Sequence, residues 1–211
     1  MKKIRFALLL PLIAVALQGC VEMAMVGTAG TAAALSLADR RTAGVQVDDE
    51  GIELRASNRV SEKFGDRVHV NITSYNRSVL VTGEVPDANT KDAIEKIIQG
   101  VASVRGVTND LQVAGGSSFT SRASDTTITG KVKARLFDSG QLNPIHVKVV
   151  TEAGIVYLLG IVTDGEANAA VEVARTTGGV RKVVKVFEYC KPTDAICARG
   201  GKAEEPKKSG T

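Results

Sequence analysis

His69-Val70-Asn71-Ile72 returns as His146-Val147-Lys148-Val149, 77 positions further along the chain. At the same offset Val79-Leu80-Val81-Thr82-Gly83-Glu84-Val85 returns as Val156-Tyr157-Leu158-Leu159-Gly160-Ile161-Val162, and Asp87 pairs with Asp164. Gly106-Val107-Thr108-Asn109-Asp110-Leu111-Gln112-Val113 matches Gly179-Val180-Arg181-Lys182-Val183-Val184-Lys185-Val186 at an offset of 73, so the first copy carries about one extra helical turn. One small unit is therefore written twice, and its fold has to be derived only once.

Val70/Ile72 and Val147/Val149 alternate with polar neighbours, the period of a half-buried strand. Asn76-Arg77 and Ala153-Gly154 punctuate a tight hairpin to a second strand. Helices are predicted over 89–103 and 165–177, stopped by Gly106 and by Gly178-Gly179, and a third strand closes each unit. Upstream, 52–64 and 126–137 carry Ile52/Ala56/Val60 and Ile128/Val132/Leu136, an apolar stripe at i, i+4, i+8. The order helix, strand, strand, helix, strand occurs twice. This predicts an α+β chain of two modules, 49–114 and 124–190, each a three-stranded mixed sheet packed by two helices. Residues 115–123, with Gly115-Gly116 and Ser117-Ser118, form the linker.

The amino terminus reads as a targeting segment. Met1-Lys2-Lys3-Ile4-Arg5 is cationic and 6–17 is apolar, interrupted by Pro11 and too short for a spanning helix of about 20 residues. It ends in Leu17-Gln18-Gly19-Cys20, which resembles the bacterial lipobox: Gly19 fits beside a scissile bond, Leu17 fills an apolar pocket, and only Cys20 offers a sulfur to alkylate. The resemblance implies a signal over 1–19 and a mature chain starting at Cys20, carrying a diacylglycerol thioether and an N-acyl chain such as palmitate. Several acyl chains exceed what stable anchoring needs. Val21 follows in place of the Asp that marks inner-membrane retention in enteric bacteria, which implies the periplasmic face of the outer membrane. Residues 20–48 then form the lipidated terminus and a tether rich in Ala, Gly, Met and Thr, with Asp39-Arg40-Arg41 beginning a polar linker. A second membrane-inserted helix is the alternative for 21–37.

The composition, 44% hydrophobic and 24% charged, is globular. Nucleic acid is not an expected partner. Aromatics are 4% with no Trp, and without Lys2, Lys3 and Arg5 the chain has 24 basic against 23 acidic residues. No G-x-S-x-G, H-E-x-x-H, P-loop or C-x-x-C occurs, so no catalytic residue, cofactor or metal is expected. His69 and His146 hold equivalent positions, out of phase with the core-facing valines. They read as solvent-facing residues inherited through duplication, in preference to a metal pair. Cys190 and Cys197 close a short Pro-containing loop within 191–211. In an oxidising compartment that favours a disulfide over two free thiols or a metal pair lacking further ligands. The tail beyond, from Gly200 through Glu204-Glu205-Pro206-Lys207-Lys208, has the composition of a disordered segment.

The strand ending V-x-L-x-G, the Gly-Val before the last strand and the run Asp125-Thr126-Thr127-Ile128-Thr129-Gly130-Lys131-Val132 resemble the BON module. Two such modules behind a lipobox resemble the dual-BON outer-membrane lipoproteins, and Asp39-Arg40-Arg41-Thr42 is familiar from that group. The resemblance runs from Cys20 to about Tyr189. It implies a non-enzymatic protein that supports envelope integrity, in the family at the division site, and contacts anionic phospholipid (phosphatidylglycerol or cardiolipin) through the first helix of its second module. Lys131, Lys133 and Arg135 supply cations there and Phe137 an off-core aromatic, while Thr127 stands where the relatives usually carry Trp. The alternatives are an ordinary solvated helix face, and an adaptor that docks an envelope-assembly or peptidoglycan-remodelling partner.

Overall fold

A computed structural model describes residues 39–115 and 119–199. The signal, Cys20, the tether up to residue 38, the middle of the linker and the tail from residue 200 lie outside the described residues. The first module runs α1 (Ala43–Phe64), β1 (His69–Tyr75), β2 (Ser78–Val85), α2 (Ala88–Gln99), β3 (Gly106–Asn109) and β4 (Gln112–Val113). The second runs α3 (Phe119–Ser139), β5 (Val147–Glu152), β6 (Ile155–Val162), α4 (Asp164–Arg175) and β7 (Lys182–Tyr189), and a short helix α5 (Ala195–Ala198) follows. In each sheet the second strand is central, antiparallel to the first and parallel to the last.

The element order is the predicted one, with displaced boundaries. Helix α1 starts nine residues before Ile52, at a Thr42 N-cap whose Oγ accepts from Val45 N, and α3 starts inside the predicted linker. The apolar stripe marks only the part of a helix that packs, and these first turns carry little of it. The last strand of the first module is split. Asn109 Oδ1 accepts from Leu111 N (3.2 Å), a local bond that competes with the ladder.

The hairpins show how the repeat is built. Asn76, Arg77, Ala153 and Gly154 all have positive φ, the two-residue turn that matches strand twist, although only one of them is glycine. That conformation is strained for the other three. In both modules a buried aspartate on the first helix holds it. Asp49 accepts from Asn76 N (2.9 Å) and Arg77 N (2.6 Å), and Asp125, 76 residues later, from Ala153 N (2.9 Å) and Gly154 N (2.8 Å). Gly83 and Gly160 explain the V-x-L-x-G ending. A Cβ at Gly83 would stand 2.0 Å from the carbonyl oxygen of His69 on β1, and one at Gly160 2.3 Å from that of His146, just before β5.

Helices cover one face of each sheet. Ile52, Ala56, Val60, Val79, Val81, Ile94 and Ile98 close the first core, and Ile128, Val132, Leu136, Val156, Leu158 and Ala170 the second. The other two faces meet each other. Tyr75 and Leu80 of the first sheet pack with Tyr157, Leu159 and Ile161 of the second in a third core that joins the modules.

Asp39-Arg40-Arg41, predicted as polar linker, is a buried strap along this seam. Arg40 donates to Glu166 through two nitrogens (2.7 and 2.9 Å), to Ile161 O (2.7 Å) and to Cys197 O (3.2 Å). Arg41 pairs with Asp39 (2.7 Å) and Asp49 (2.9 Å) and lies over the Tyr75 ring, 4.1 Å from its centre. Charges enter the interior here because each has a counter-charge, and Arg40 has backbone acceptors as well.

Gly160→Ala is expected to cost about 3 kcal/mol through overpacking against backbone, a fall of about 6–12 °C in Tm. Gly178→Ala, where a Cβ meets nothing within 4 Å, should leave the melt unchanged. Burial pushes the Glu166 carboxyl up, but hydrogen bonds from Arg40 and Thr163 overcome it and hold the group at about 2, against an ordinary 4.5. A depressed carboxyl contributes stability that is complete above the ordinary value and vanishes as pH falls through the folded one. The Tm gap between the native chain and Arg40→Met should therefore narrow as pH drops from 4.5 to about 2; a gap independent of pH would contradict the pairing.

Candidate functional site

Helix α3 sets Ile128, Val132 and Leu136 against β5 and α4, and its opposite side faces solvent. On that side Lys133 and Phe137 are neighbours one turn apart, with Gly130 one turn before them. Phe137 is 74% exposed, the largest value for any large hydrophobic among the described residues. Lys131 lies on the adjoining strip, one turn beyond Thr127. Both are exposed, and the Thr127 hydroxyl donates to Ala123 O (3.0 Å). Beside Gly130 the surface is open, since a Cβ there would meet nothing within 4 Å.

Arg135 stands apart from this group. Its guanidinium donates to Val173 O (2.9 Å), Thr177 Oγ1 (2.7 Å) and Thr176 Oγ1 (3.0 Å), at the carboxyl end of α4, where a cation also meets the negative end of the helix dipole. Arg59, the equivalent residue 76 positions earlier, donates to Gly100 O (2.9 Å) just past α2. Ser61 occupies the place equivalent to Phe137 in the first module. The arginine is common framework, and the exposed aromatic belongs to the second module.

Cys190 and Cys197 are bridged, with their Cα atoms 5.9 Å apart, and Cys197 is buried under the Arg40 contact. The histidines depart from the solvent-facing expectation. His146 is 1% exposed, because the 3₁₀ turn Pro144–His146 tucks its ring inward with Nδ1 3.5 Å from Glu166 Oε1. His69 is half-buried, with Nδ1 2.8 Å from Glu84 Oε2.

The sequence reading passed over the strap arginine and the two clasp aspartates. A signal for the clasp was available: the repeat alignment, carried upstream, sets Asp49 against Asp125. Nothing comparable marks Arg40, whose partners lie more than 120 residues away.

The BON domain family matches residues 48–115 and 124–191, and the chain belongs to that family as a two-module member. Among proteins it resembles is the "Outer membrane lipoprotein DolP" of Haemophilus influenzae, 41% identical over 175 residues, covering 82% of this chain and 90% of that one. The "21 kDa hemolysin" of Actinobacillus pleuropneumoniae is 33% identical over 153 residues, covering 72% and 79%. The "Osmotically-inducible protein Y" of Escherichia coli K12 is 29% identical over 117 residues, covering 54% and 58%.

Arg135→Gln should lower stability by about 1 kcal/mol, reduced from a buried charged bond by its exposure. Lys131→Gln with Lys133→Gln should leave thermal unfolding unchanged. Equal effects of the two changes would erase this division between framework and surface cations.

Proposed function

We propose that this chain is a non-enzymatic outer-membrane lipoprotein, held by acyl chains on Cys20, whose second module lays the outer side of α3 on anionic phospholipid. The observation that carries the reading is Phe137, about three-quarters exposed beside Lys133 and close to Lys131. An aromatic ring flanked by ammonium groups suits an interface where headgroups are anionic and the acyl boundary is apolar. The opposite sides of both sheets are consumed by the seam, which leaves helix surfaces to meet a membrane. Similarity to a protein named as an outer-membrane lipoprotein supports the anchored location, as does the Gly19-Cys20 junction.

Arg135, committed to α4, becomes a minor contributor. Thr127 supplies no interfacial ring, so Phe137 carries the apolar contact. Maintaining envelope integrity is the role this reading implies.

The test is flotation of a chain beginning at Asp39 with vesicles of phosphatidylcholine, with and without phosphatidylglycerol. Binding should require the anionic lipid. Lys131→Gln with Lys133→Gln should cost up to about 2 kcal/mol at low salt, and less at high salt where screening has removed the attraction. Phe137→Ala should weaken binding at every ionic strength, since burial of a ring is not screened, and Thr127→Trp should strengthen it. A chain that ignores anionic vesicles at low salt, with Trp at 127 changing nothing, would transfer the proposal to a protein-docking adaptor.

A further inference from the structure

Glu152 ends β5 with its carboxylate inside the seam between modules, 6% exposed. It accepts from Asn71 Nδ2 (2.6 Å) and Thr82 Oγ1 (3.4 Å) on the first sheet, and both are uncharged. Lys148, two residues earlier on the same strand, gives its ammonium to Glu53 (2.9 Å) and to Ser74 O. Glu152 thus has no ion pair among the described residues, although a buried carboxylate without a counter-charge is costly. A second buried carboxylate, Glu84 on β2, stands nearby at 8% exposure, paired across the hairpin with His69. One ligand atom from each of His69, Glu84 and Glu152 lies within 4.8 Å of the others.

A divalent cation held by these three ligand atoms would supply the counter-charge that Glu152 lacks among the described residues. The donor set is one imidazole nitrogen and two carboxylate oxygens, which suits zinc-class first-row ions better than calcium or magnesium, which favour oxygen alone. Ligand atoms around tetrahedral zinc sit about 3.3 Å apart given bonds near 2.0 Å, so a modest closure of side chains would complete the site. A cleft lined by Asp66, Arg67, His69, Glu84 and Val113 opens beside His69 and Glu84, giving an entry path and room for a fourth, water ligand. Arg67 lines this cleft with its guanidinium held by the carbonyls of Lys63 (2.9 Å) and Phe64 (3.1 Å), and Asp66 lines it too.

We propose that His69, Glu84 and Glu152 form a zinc-class divalent-metal site that staples the first module to the second. Two ligands come from the first sheet and one from the second, so the ion would tighten the docking of the modules. The site is independent of the lipid-facing helix.

Equilibrium dialysis of the untagged full chain in detergent, stripped with chelator and exposed to Zn²⁺, should give one bound ion per chain. Tm should rise on addition of the ion, since a ligand of the folded state alone stabilises it. His69→Ala and Glu152→Gln should each weaken binding at least about tenfold, the smaller loss seen even for outer partners of a metal, and should abolish the rise in Tm. Glu188→Gln, elsewhere in the seam, should bind as the native chain does. Should Glu152→Gln fail to fold by circular dichroism, His69→Ala, on a partly exposed strand start, decides alone. No uptake by the native chain, or uptake that both ligand variants retain, overturns the proposal.

Discussion

Everything in this fold follows from the need to cover the second face of two small sheets. Two helices shield one side of a three-stranded sheet and leave the other bare. In the second module that bare side carries Tyr157, Leu159 and Ile161, with Val184 and Val186 beside them, too much apolar surface to leave in water. The first module answers with Tyr75 and Leu80. Polar groups trapped at the seam are satisfied across it. The Tyr157 hydroxyl, pushed up by burial and by Asp110, donates to that carboxylate at 2.7 Å, and Asn76 donates to Glu188 at 2.8 Å. Hydrophobic burial joins the modules, and the bonded polar rim sets their register.

Duplication kept what backbone geometry requires and released the rest. Asp49 and Asp125 both hold strained turns, Gly83 and Gly160 both admit a carbonyl, and Arg59 and Arg135 both donate to a carbonyl at the end of the second helix. The seam faces diverged because each copy now meets the other rather than itself. Thr82 and Glu84 of β2 hold the places where the second copy carries Leu159 and Ile161. The helix surfaces diverged as well, with Ser61 in one copy and Phe137 in the other. That asymmetry is why the lipid contact proposed above is placed on the second module.

The strap of residues 39–41 is bonded to both modules. Arg40 meets Glu166 and the Cys197 carbonyl on one side, and Arg41 meets Asp49 and Tyr75 on the other. Within the strap the Tyr75 hydroxyl is held near 12, by burial first and then by Asp39, so it stays neutral and the ring serves as a surface for the Arg41 guanidinium.

Read alone, the sequence determined the number of modules, the order of their elements, the hairpin positions and the inward stripes Ile52/Ala56/Val60 and Ile128/Val132/Leu136. Those signals are local: strand alternation, helical period and turn residues act within a dozen positions, and a repeat states each of them twice. It also marked Phe137 as lying off the core stripe, because helical phase is a property of the sequence. The tertiary structure decided which polar residues are interior. Arg40, His146 and Glu152 look like surface residues in any local window; Arg40 and Glu152 are buried by partner elements far along the chain, and His146 by the turn before β5 and by Glu166. It separated Arg135 from Lys131 and Lys133, which share its helix, because only the docking of α4 gives that guanidinium a carbonyl and two hydroxyls to meet. Periodicity reports which way a side chain points relative to its own element, and burial depends on what another element brings to that side.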